Sequence, residues 1–340
     1  MKSLPRPATL PSLLAALDRA LGADGVSPLD PSVPVSVWRR ALVEPATEFL
    51  GRPGKELRTT IVRAGWMLGG GRAHAMPERL PLVVELLHAG SLIIDDVEDG
   101  STIRRGAPAL HELVGVPLAI NTGSWMYFWA LAELGALALP PERELAANRL
   151  AITTLVRCHQ GQALDLATRI ADVDVGDVHA IVDATTRLKT GTLCRFAAEL
   201  GALAAGAPDH TRAAIGQFGE AMGCALQMLD DLGSLTSSLR RDKAHEDLCG
   251  GRPTWPWAWV AKHRPFAWNR LAVMSRAVTA GTADCDELCA ALASAIDGDG
   301  RRCVRAAIDR ALDSLVAAVG MSSVTEMIAG ELARMEKSYG

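Results

Sequence analysis

The sequence predicts an all-α fold, and three observations support that prediction. Apolar residues recur every three or four positions from Val35 almost to the carboxyl end, with little of the strict alternation that marks strands. Alanine and leucine dominate, and aromatic residues contribute only 4% of the chain, a composition that favours helix over sheet. Glycine, proline and aspartate cluster between the periodic segments, for example at 69–71, 206–209 and 298–300, and mark the joints.

Taken in order, the predicted helices are separated by short joints. They cover residues 35–50, 55–69, 78–98, 117–138, 141–169, 176–205, 209–237, 253–262, 265–281, 284–297, 301–319 and 322–338. Ahead of them, residues 1–34 contain one amphipathic segment, Leu13–Leu21, among prolines and glycines, and are interpreted as a partly ordered lead-in. Neither a long flexible linker nor an internal repeat is visible, so residues 35–340 are predicted to form one domain.

Charge and composition narrow the functional classes. A net charge of −4 gives no sign of a surface for nucleic acid or for stable membrane insertion. The most apolar segment, Val116–Leu139, carries Asn121, Ser124 and Glu133 and is typical of a core helix. The seven cysteines lack paired CxxC spacing, which favours free thiols in a reducing cytosol. The sequence therefore predicts a soluble cytoplasmic protein.

The stretch from residue 86 to residue 111 carries the strongest functional signal. At helical spacing Asp95, Asp96 and Asp99 present three negative charges at one surface, which is costly unless a cation shares them. Oxygen ligands suit Mg²⁺, which in proteins typically bridges one or two carboxylates to substrate phosphates. Arg104 and Arg105 follow and suit bidentate phosphate contacts. A metal–diphosphate site is the functional interpretation; an acidic helix end followed by a basic loop is the alternative.

Polar residues interrupt apolar helical patterns elsewhere. Lys55 and Arg58 stand at a predicted helix start, where an anion would be favoured, although an ordinary solvated face explains this pair as well. Gln162 and Asp165 share a face in another apolar segment. Lys189 and Thr190 break a further apolar pattern, and a buried lysine must either reach solvent or meet an anion.

A second carboxylate group lies far along the chain. Gln227, Asp230 and Asp231 occupy a strongly apolar predicted helix. Adjacent aspartates there are expensive unless they bind metal or face a solvated cavity. A site that holds several metal ions would need this second group of carboxylates in addition to the group at 95–99.

These motifs together resemble the trans-isoprenyl diphosphate synthases, the polyprenyl synthetase family, over about residues 50–260. The segment 95–111, DDVEDGSTIRRGAPALH, is similar to the family's DDxxD followed by RRGxPxxH. The other matching elements are GKELR at 54–58, His88, the Lys-Thr pair at 189–190, QMLDDLGS at 227–234, Lys243, and DLCGGRPT at 247–254.

The resemblance implies a fold and a reaction. The family fold is a bundle of long antiparallel helices around a central cavity, usually in a homodimer, with the two aspartate motifs facing each other at the cavity mouth. The implied activity is Mg²⁺-dependent condensation of isopentenyl diphosphate with an allylic prenyl diphosphate. Three Mg²⁺ ions are expected, with Mn²⁺ as a possible substitute.

The resemblance also assigns residues. The implied metal ligands are Asp95, Asp96, Asp99, Asp230 and Asp231. The implied contacts to the allylic diphosphate are Arg104, Lys189, Thr190, Gln227 and Lys243, and those to isopentenyl diphosphate are Lys55, Arg58, His88 and Arg105. Among all of these, the residues expected to be catalytic are Asp95, Asp96, Lys189 and Asp230.

Departures from the family pattern leave other functions open. Ser234 stands where the second motif has its third aspartate, so one metal would lose a carboxylate, with water or the serine hydroxyl as a substitute. Gly90 and Ser91, below the first motif, are both small and predict a product of C20 or longer, with geranylgeranyl diphosphate as the commonest outcome. The altered second motif keeps two alternatives: a cyclase or other-acceptor prenyltransferase, and a non-catalytic regulatory subunit.

Overall fold

The computed structural model describes residues 10–54, 57–237, 241–296 and 298–339, which are almost entirely helical. They form two compact units. The N-terminal unit contains residues 10–153 and 196–213, and the C-terminal unit contains residues 154–195 and the described residues from 214 onward. The predicted all-α class is confirmed, whereas the predicted limits of a lead-in and a single domain stay a prediction.

The N-terminal unit is built from seven complete helices and one hairpin. The helices are α1 Leu10–Leu21, α2 Val35–Trp38, α3 Glu44–Leu50, α4 Leu57–Leu68, α5 Arg79–Asp99, α6 Leu110–Val114 and α7 Val116–Gly135. A π-helical turn, Arg39–Val43, continues α2 into α3, and a 3-10 turn, Ala73–Ala75, precedes α5. Strands β1 Ile103–Arg104 and β2 Ala107–Pro108 pair antiparallel, with Arg104 opposite Ala107.

The long helix α8, Pro141–Ala167, begins in the N-terminal unit and ends in the other. The remaining helices are α9 Val178–Thr186, α10 Thr192–Ala205, α11 Asp209–Thr236, α12 Arg241–Cys249, α13 Trp255–His263, α14 Pro265–Thr279, α15 Cys285–Ile296, α16 Asp299–Val319 and α17 Ser323–Tyr339. A 3-10 turn, Ile170–Asp172, follows α8, and a π-helical turn, Arg187–Gly191, joins α9 to α10. No described helix combines the length and apolar character needed to cross a membrane.

The helices match the predicted segments to within a few residues at most ends, because their apolar periodicity is sustained over several turns. The sequence did not predict α6, α12 or the hairpin. In α13, Trp255, Trp257 and Trp259 are all buried and pack in the core. The ring of Trp257 meets Trp268 edge to face at a centroid distance of 5.8 Å.

Residues 10–34 are tied to the rest of the N-terminal unit. Helix α1 packs against α3 and buries Ala16, Leu17 and Ala20. Farther along, the indole Nε1 of Trp125 donates a hydrogen bond to Ser27 Oγ at 3.3 Å. This part of the predicted lead-in therefore contributes to the apolar core.

Helices α5 and α7 pack backbone to backbone in the core of the N-terminal unit. A Cβ placed on Gly90 would lie 2.7 Å from the carbonyl oxygen of Gly123, and one on Gly123 would lie 3.0 Å from Ile94 Cγ1. Gly90 therefore requires a residue without a side chain, and a Cβ at Gly123 would force Ile94 to shift. The smallness of Gly90 is explained by this helix contact and does not indicate open space below the aspartates.

We predict that Gly90→Ala destabilises the protein by about 1–3 kcal/mol, the usual cost of overpacking a close contact. Gly135→Ala is the matched control. Gly135 is in α7, the partner helix of the contact, and a Cβ at this position meets no atom within 4 Å. Chemical unfolding of the two variants measures the difference. Equal stability of both variants would show that the α5–α7 contact can relax.

Candidate active site

The three carboxylates of the first motif lie at the carboxyl end of α5. The helix ends at Asp99, and Gly100 adopts a left-handed conformation with φ 64° that lets the Ser101 amide bond back to the Asp96 carbonyl at 3.0 Å. A helix carries partial negative charge at its carboxyl end, so three aspartates there add to an unfavourable potential. The local electrostatics therefore require cations.

Arg104 supplies one of these cations. Its Nε donates to Asp96 Oδ1 at 2.6 Å, its guanidinium also pairs with that carboxylate through Nη2, and Nη2 lies 3.6 Å from Asp95 Oδ2. Asp96 is completely buried; burial raises the pKa of its carboxyl, and Arg104 opposes that shift. Asp96 thus fixes the position of Arg104, and its role as a metal ligand stays a prediction.

The hairpin that carries Arg104 is held by a residue that the sequence did not single out. Arg52 is 6% exposed, and its guanidinium donates to the carbonyl oxygens of Arg104 at 3.1 Å and Pro108 at 2.7 Å. The same guanidinium pairs with Glu48, with contacts of 3.1 and 3.2 Å. One rigid fork therefore ties both strands of the hairpin to the end of α3.

Arg105 stands at the turn of that hairpin. Its φ of 55° is a left-handed conformation that a non-glycine residue rarely adopts. Its guanidinium lies 5.6 Å from the centroid of the Phe49 ring, as does that of Arg52. A Cβ on Gly54 would lie 3.4 Å from Arg105 Nη1, so the glycine of GKELR leaves space for this side chain.

Cationic groups converge around His88 on α5. Burial and neighbouring guanidiniums, first those of Arg58 and Arg105, hold the pKa of His88 well below its usual value, so the imidazole is neutral at pH 7. Arg58 Nε is buried and has no hydrogen-bond partner among the described residues. Glu85 accepts hydrogen bonds from the amide and hydroxyl of Thr59 at 3.0 and 2.8 Å and fixes the start of α4.

Three of the four residues predicted for isopentenyl diphosphate, Arg58, His88 and Arg105, are therefore neighbours. The fourth, Lys55, lies outside the described residues. A neutral imidazole beside the guanidiniums of Arg58 and Arg105 offers hydrogen bonds and positive charge in one place, with Glu85 also acting on Arg105, and a diphosphate favours such groups.

The C-terminal unit holds the remaining predicted site residues. The π-helical turn Arg187–Gly191 presents Lys189 and Thr190; such turns often accompany functional sites because they re-aim side chains. Lys189 Nζ lies 2.7 Å from Asp165 Oδ2 on α8. This lysine is half-buried, and the carboxylate of Asp165 positions it. The sequence motifs do not include Asp165 among the site residues.

A hydrogen-bond chain links Thr190 to α13. Thr190 Oγ1 donates to Gln227 Oε1 at 3.0 Å, and Gln227 Nε2 donates to Asp231 Oδ1 at 2.8 Å. Asp231 Oδ2 accepts the amide of Trp255, the first residue of α13, at 3.0 Å. Burial raises the pKa of Asp231 to about 6 despite these donors. Asp231 therefore organises the site as well as being a predicted metal ligand.

Helix α12 adds a cation and a carboxylate. Lys243 forms an ion pair with Asp230. Burial lowers the pKa of Lys243, but nearby carboxylates, first those of Asp230 and Asp247, outweigh it, so the net shift is upward. Burial raises the pKa of Asp247 to about 7. In the sequence, Asp247 is the first residue of the DLCGGRPT motif. Its position four residues after Lys243 places both side chains on one helical face, and this spacing is the signal that could have identified Asp247 as a site residue.

Ser234 stands where the motif has its third aspartate. Its hydroxyl donates to the carbonyl of Asp230 at 2.8 Å, and the residue is 3% exposed. Because a ligand must reach the metal ion, this burial favours water as the substitute for the missing carboxylate.

Within the described parts of the chain, no three His, Cys, Asp or Glu side chains come close enough to enclose a metal ion. The donors that are present nevertheless fit Mg²⁺. Asp95 and Asp99 present carboxylate oxygens one helical turn apart, and this ion usually takes one or two carboxylates and completes its shell with water and substrate phosphates.

A family model described as polyprenyl synthetase matches residues 39–292. Geranylgeranyl pyrophosphate synthase 2 of Zymoseptoria tritici is 31% identical over 230 residues, which cover 66% of this chain and 66% of that protein. A geranylgeranyl pyrophosphate synthase of Eremothecium gossypii is 29% identical over 234 residues, covering 67% and 72%. The geranylfarnesyl diphosphate synthase of Aeropyrum pernix is 35% identical over 184 residues, covering 53% and 57%. The chain thus spans less than two thirds of the Zymoseptoria and Aeropyrum proteins.

Solved structures show the same fold. The geranylgeranyl pyrophosphate synthase from Lactobacillus brevis matches with a TM-score of 0.73 at 23% identity, covering 97% of this chain and 95% of that one. The heptaprenyl diphosphate synthase from Staphylococcus aureus matches with a TM-score of 0.75 at 17% identity, covering 98% and 99%. At these identities the likeness concerns the fold alone, and it confirms the predicted all-α architecture.

We predict that Arg52→Met weakens binding of inorganic diphosphate about tenfold, because the hairpin carrying Arg104 and Arg105 loses its anchor. Arg52→Lys should recover only part of the loss, since an ammonium cannot reproduce the fork. The control is Arg39→Met, which removes an exposed arginine paired with Glu44 at 3.5 Å. Calorimetric titration measures the binding. Equal affinities in the Arg39 and Arg52 variants would contradict the anchoring role.

We predict that His88 makes stability depend on pH. Its pKa is lower in the folded chain than in the unfolded chain, so the unfolded state binds the proton more tightly. The neutral imidazole therefore contributes stability above about pH 6.5 that is lost as the pH falls, with a slope of up to about 1.4 kcal/mol per pH unit.

Chemical unfolding between pH 7.5 and pH 5 should accordingly show a flatter slope for His88→Gln than for the unchanged protein. His210→Gln, at an exposed position of the same unit, is the control and should leave the slope unaltered. The raised pKa values of Asp231 and Asp247 act in the opposite direction, but they are common to all three proteins and cancel in the comparison. Parallel slopes for all three proteins would show that His88 already binds its proton normally.

Proposed function

Because the chain belongs to the polyprenyl synthetase family, we propose that it is a prenyltransferase that condenses isopentenyl diphosphate with an allylic prenyl diphosphate. The observation that carries the proposal is the cluster of Arg58, His88 and Arg105 beside the Asp96–Arg104 pair in one unit. A diphosphate bound by these residues would lie next to the aspartate carboxylates of the protein. Those carboxylates would hold a second diphosphate through metal ions. Few other functions require both.

The proposed chemistry assigns a task to each group. Loss of diphosphate from the allylic carbon places negative charge on the leaving group, and Arg104, Lys189 and Lys243 would stabilise that charge. Mg²⁺ bound by the aspartates supplies further charge neutralisation. Arg58, His88 and Arg105 would hold isopentenyl diphosphate so that its alkene meets the allylic cation before water does.

The residues of the C-terminal unit complete the proposal. Thr190 and Gln227 would position the allylic diphosphate through the hydrogen-bond chain that ends at Asp231. Asp95, Asp96, Asp99, Asp230 and Asp231 are the proposed ligands of three Mg²⁺ ions, with Mn²⁺ as a substitute, and Lys55 is the proposed fourth contact to isopentenyl diphosphate. A cytoplasmic location is part of the same proposal.

We propose a product of C20 or longer. The relatives named above are geranylgeranyl and geranylfarnesyl synthases. Within this chain the supporting residue is Ser91, which is half-buried and follows His88 by one helical turn, on the face of α5 that carries Asp95. A small side chain there leaves room for a prenyl chain, whereas Gly90 faces α7.

A homodimer is the proposed assembly. Large apolar side chains remain exposed on α7 and on the first half of α8, namely Val116, Ile120, Phe128, Leu145 and Ile152. Such exposed apolar groups mark protein interfaces, and most soluble oligomers are symmetric homodimers. Sedimentation velocity should give a dimer for the unchanged protein and a monomer for Phe128→Asp; an unchanged mass in the variant would exclude this interface.

The assay for the proposed function incubates the purified protein with isopentenyl diphosphate, farnesyl diphosphate and Mg²⁺ and then sizes the products. We expect geranylgeranyl diphosphate and no turnover after chelation of divalent cations. Asp99→Asn should lower kcat/KM about 100-fold, because a metal ligand and its charge are lost. Glu98→Gln changes the same charge at an exposed neighbouring position and should leave the rate unchanged.

Other outcomes separate the alternatives. A product that stops at C15 from a shorter allylic substrate would contradict the C20 assignment. A hydrocarbon or alcohol formed without isopentenyl diphosphate would indicate a cyclase. No turnover alone, with a changed rate of a partner synthase, would indicate a regulatory subunit.

A further inference from the structure

Helix α12 presents two opposite faces, each with its own set of polar contacts. Lys243 and Asp247, four residues apart, share the face that meets the carboxylates of the proposed allylic site. Arg241, His245 and Cys249 also repeat every four residues, and at 100° per residue their face points in the opposite direction. Neither the family motifs nor the proposed reaction uses this second face.

The second face contacts the first turn of α15. His245 Nε2 lies 2.9 Å from Asp286 Oδ1, and Arg241 Nη1 lies 3.6 Å from the same oxygen. At the end of the row, Cys249 follows His245 by one helical turn and Cys285 directly precedes Asp286, so the same contact brings these two cysteines together, and the Cys249 thiol affects the pKa of Cys285. Three consecutive turns of α12 therefore rest on two adjacent residues of α15.

The two thiols differ in exposure. Cys249 is exposed, whereas Cys285 is 9% exposed. The next thiol on α15, that of Cys289, donates to the carbonyl of Leu235 at 3.7 Å. Cys249 and Cys285 thus form a pair with one sulfur open to solvent and the other directly behind it.

We propose that Cys249 and Cys285 are a reversible oxidation site, at which a low-molecular-weight disulfide converts the thiol pair into an intramolecular disulfide. The Cys249 thiolate attacks one sulfur of the small disulfide and releases one thiol. The Cys285 sulfur then attacks the Cys249 sulfur of the mixed disulfide, releasing the second thiol and its own proton. Two protein thiols lose two electrons, and one small disulfide becomes two small thiols.

The order of attack follows from the surroundings. Burial raises the pKa of the Cys285 thiol to about 12, and the neighbouring Cys249 thiol adds to the shift. Cys285 is therefore protonated at pH 7 and is the resolving thiol. The exposed Cys249 is the sulfur that an oxidant reaches first.

Disulfide formation would pull α12 away from the proposed allylic site. A disulfide requires its two sulfurs to approach to about 2.05 Å, which would draw the end of α12 towards α15. Lys243 is on the opposite face, so the same movement weakens its pair with Asp230. This effect on substrate binding rests on the proposed function, whereas the disulfide itself does not.

The test incubates the full-length protein in mixtures of oxidised and reduced glutathione and maps the peptides without reduction. We expect a linked pair of peptides containing Cys249 and Cys285 that is lost on reduction. Cys249→Ser and Cys285→Ser should each abolish it, and Cys303→Ser, a half-buried cysteine elsewhere in the unit, should not. No linkage, a glutathione adduct alone, or a bridge from Cys249 to Cys289 would overturn the assignment.

Two further measurements test the coupling. Hydrogen exchange should slow at the carboxyl end of α12 on oxidation, in the presence or absence of catalytic activity. The KM for the allylic diphosphate should rise roughly fivefold in the oxidised protein and stay constant in Cys249→Ser. A linkage that leaves KM unaltered in an active enzyme would refute the coupling, whereas an inactive reduced protein would count against the proposed function alone.

Discussion

The concentration of negative charge at the carboxyl end of α5 is the constraint on which the N-terminal unit depends. The helix dipole opposes these aspartates, and one of them, Asp96, is fully buried. Arg104 relieves that charge, but only a fixed hairpin keeps it in place, and Arg52 provides the fixation through two carbonyl oxygens. The same hairpin aims Arg105 beside Phe49, next to His88. One electrostatic requirement thus accounts for a buried arginine, a strained turn and a neutral histidine.

The C-terminal unit meets a similar requirement differently. Its carboxylates are buried among helices and are stabilised by an amide, by the Trp255 backbone and by Lys243. The raised pKa values of Asp231 and Asp247 show that this stabilisation is incomplete in the chain by itself. A polyanion with its divalent cations would supply what is missing, because metal ions favour the charged carboxylates. In both units, a bound ligand with its cations would therefore stabilise the carboxylate charges further.

Much of this could be read from the sequence, for physical reasons that differ between elements. Long helices repeat their apolar face over several turns, so α5, α8 and α11 could be predicted. Helix α12 spans only Arg241–Cys249 and is mostly polar, because one face meets the charged site and another meets α15. Apolar periodicity cannot reveal such a helix.

The hairpin has strands of only two residues, which are too short to show an alternating pattern. Arg52 binds carbonyl oxygens 52 and 56 residues away, and such contacts leave no local pattern. The aspartates and arginines were found because charge is conspicuous in an apolar segment.

The backbone contact between Gly90 and Gly123 has a consequence for how this protein can diversify. A side chain at Gly90 would meet the backbone of α7, and one at Gly123 would crowd Ile94, so substitution at either position costs stability. Ser91 is next to one of them, about 100° further around the helix, and its hydroxyl donates to the carbonyl of His88 at 2.8 Å. The space beneath the aspartates can therefore be altered at Ser91 with less disturbance of the helix packing than at the neighbouring Gly90.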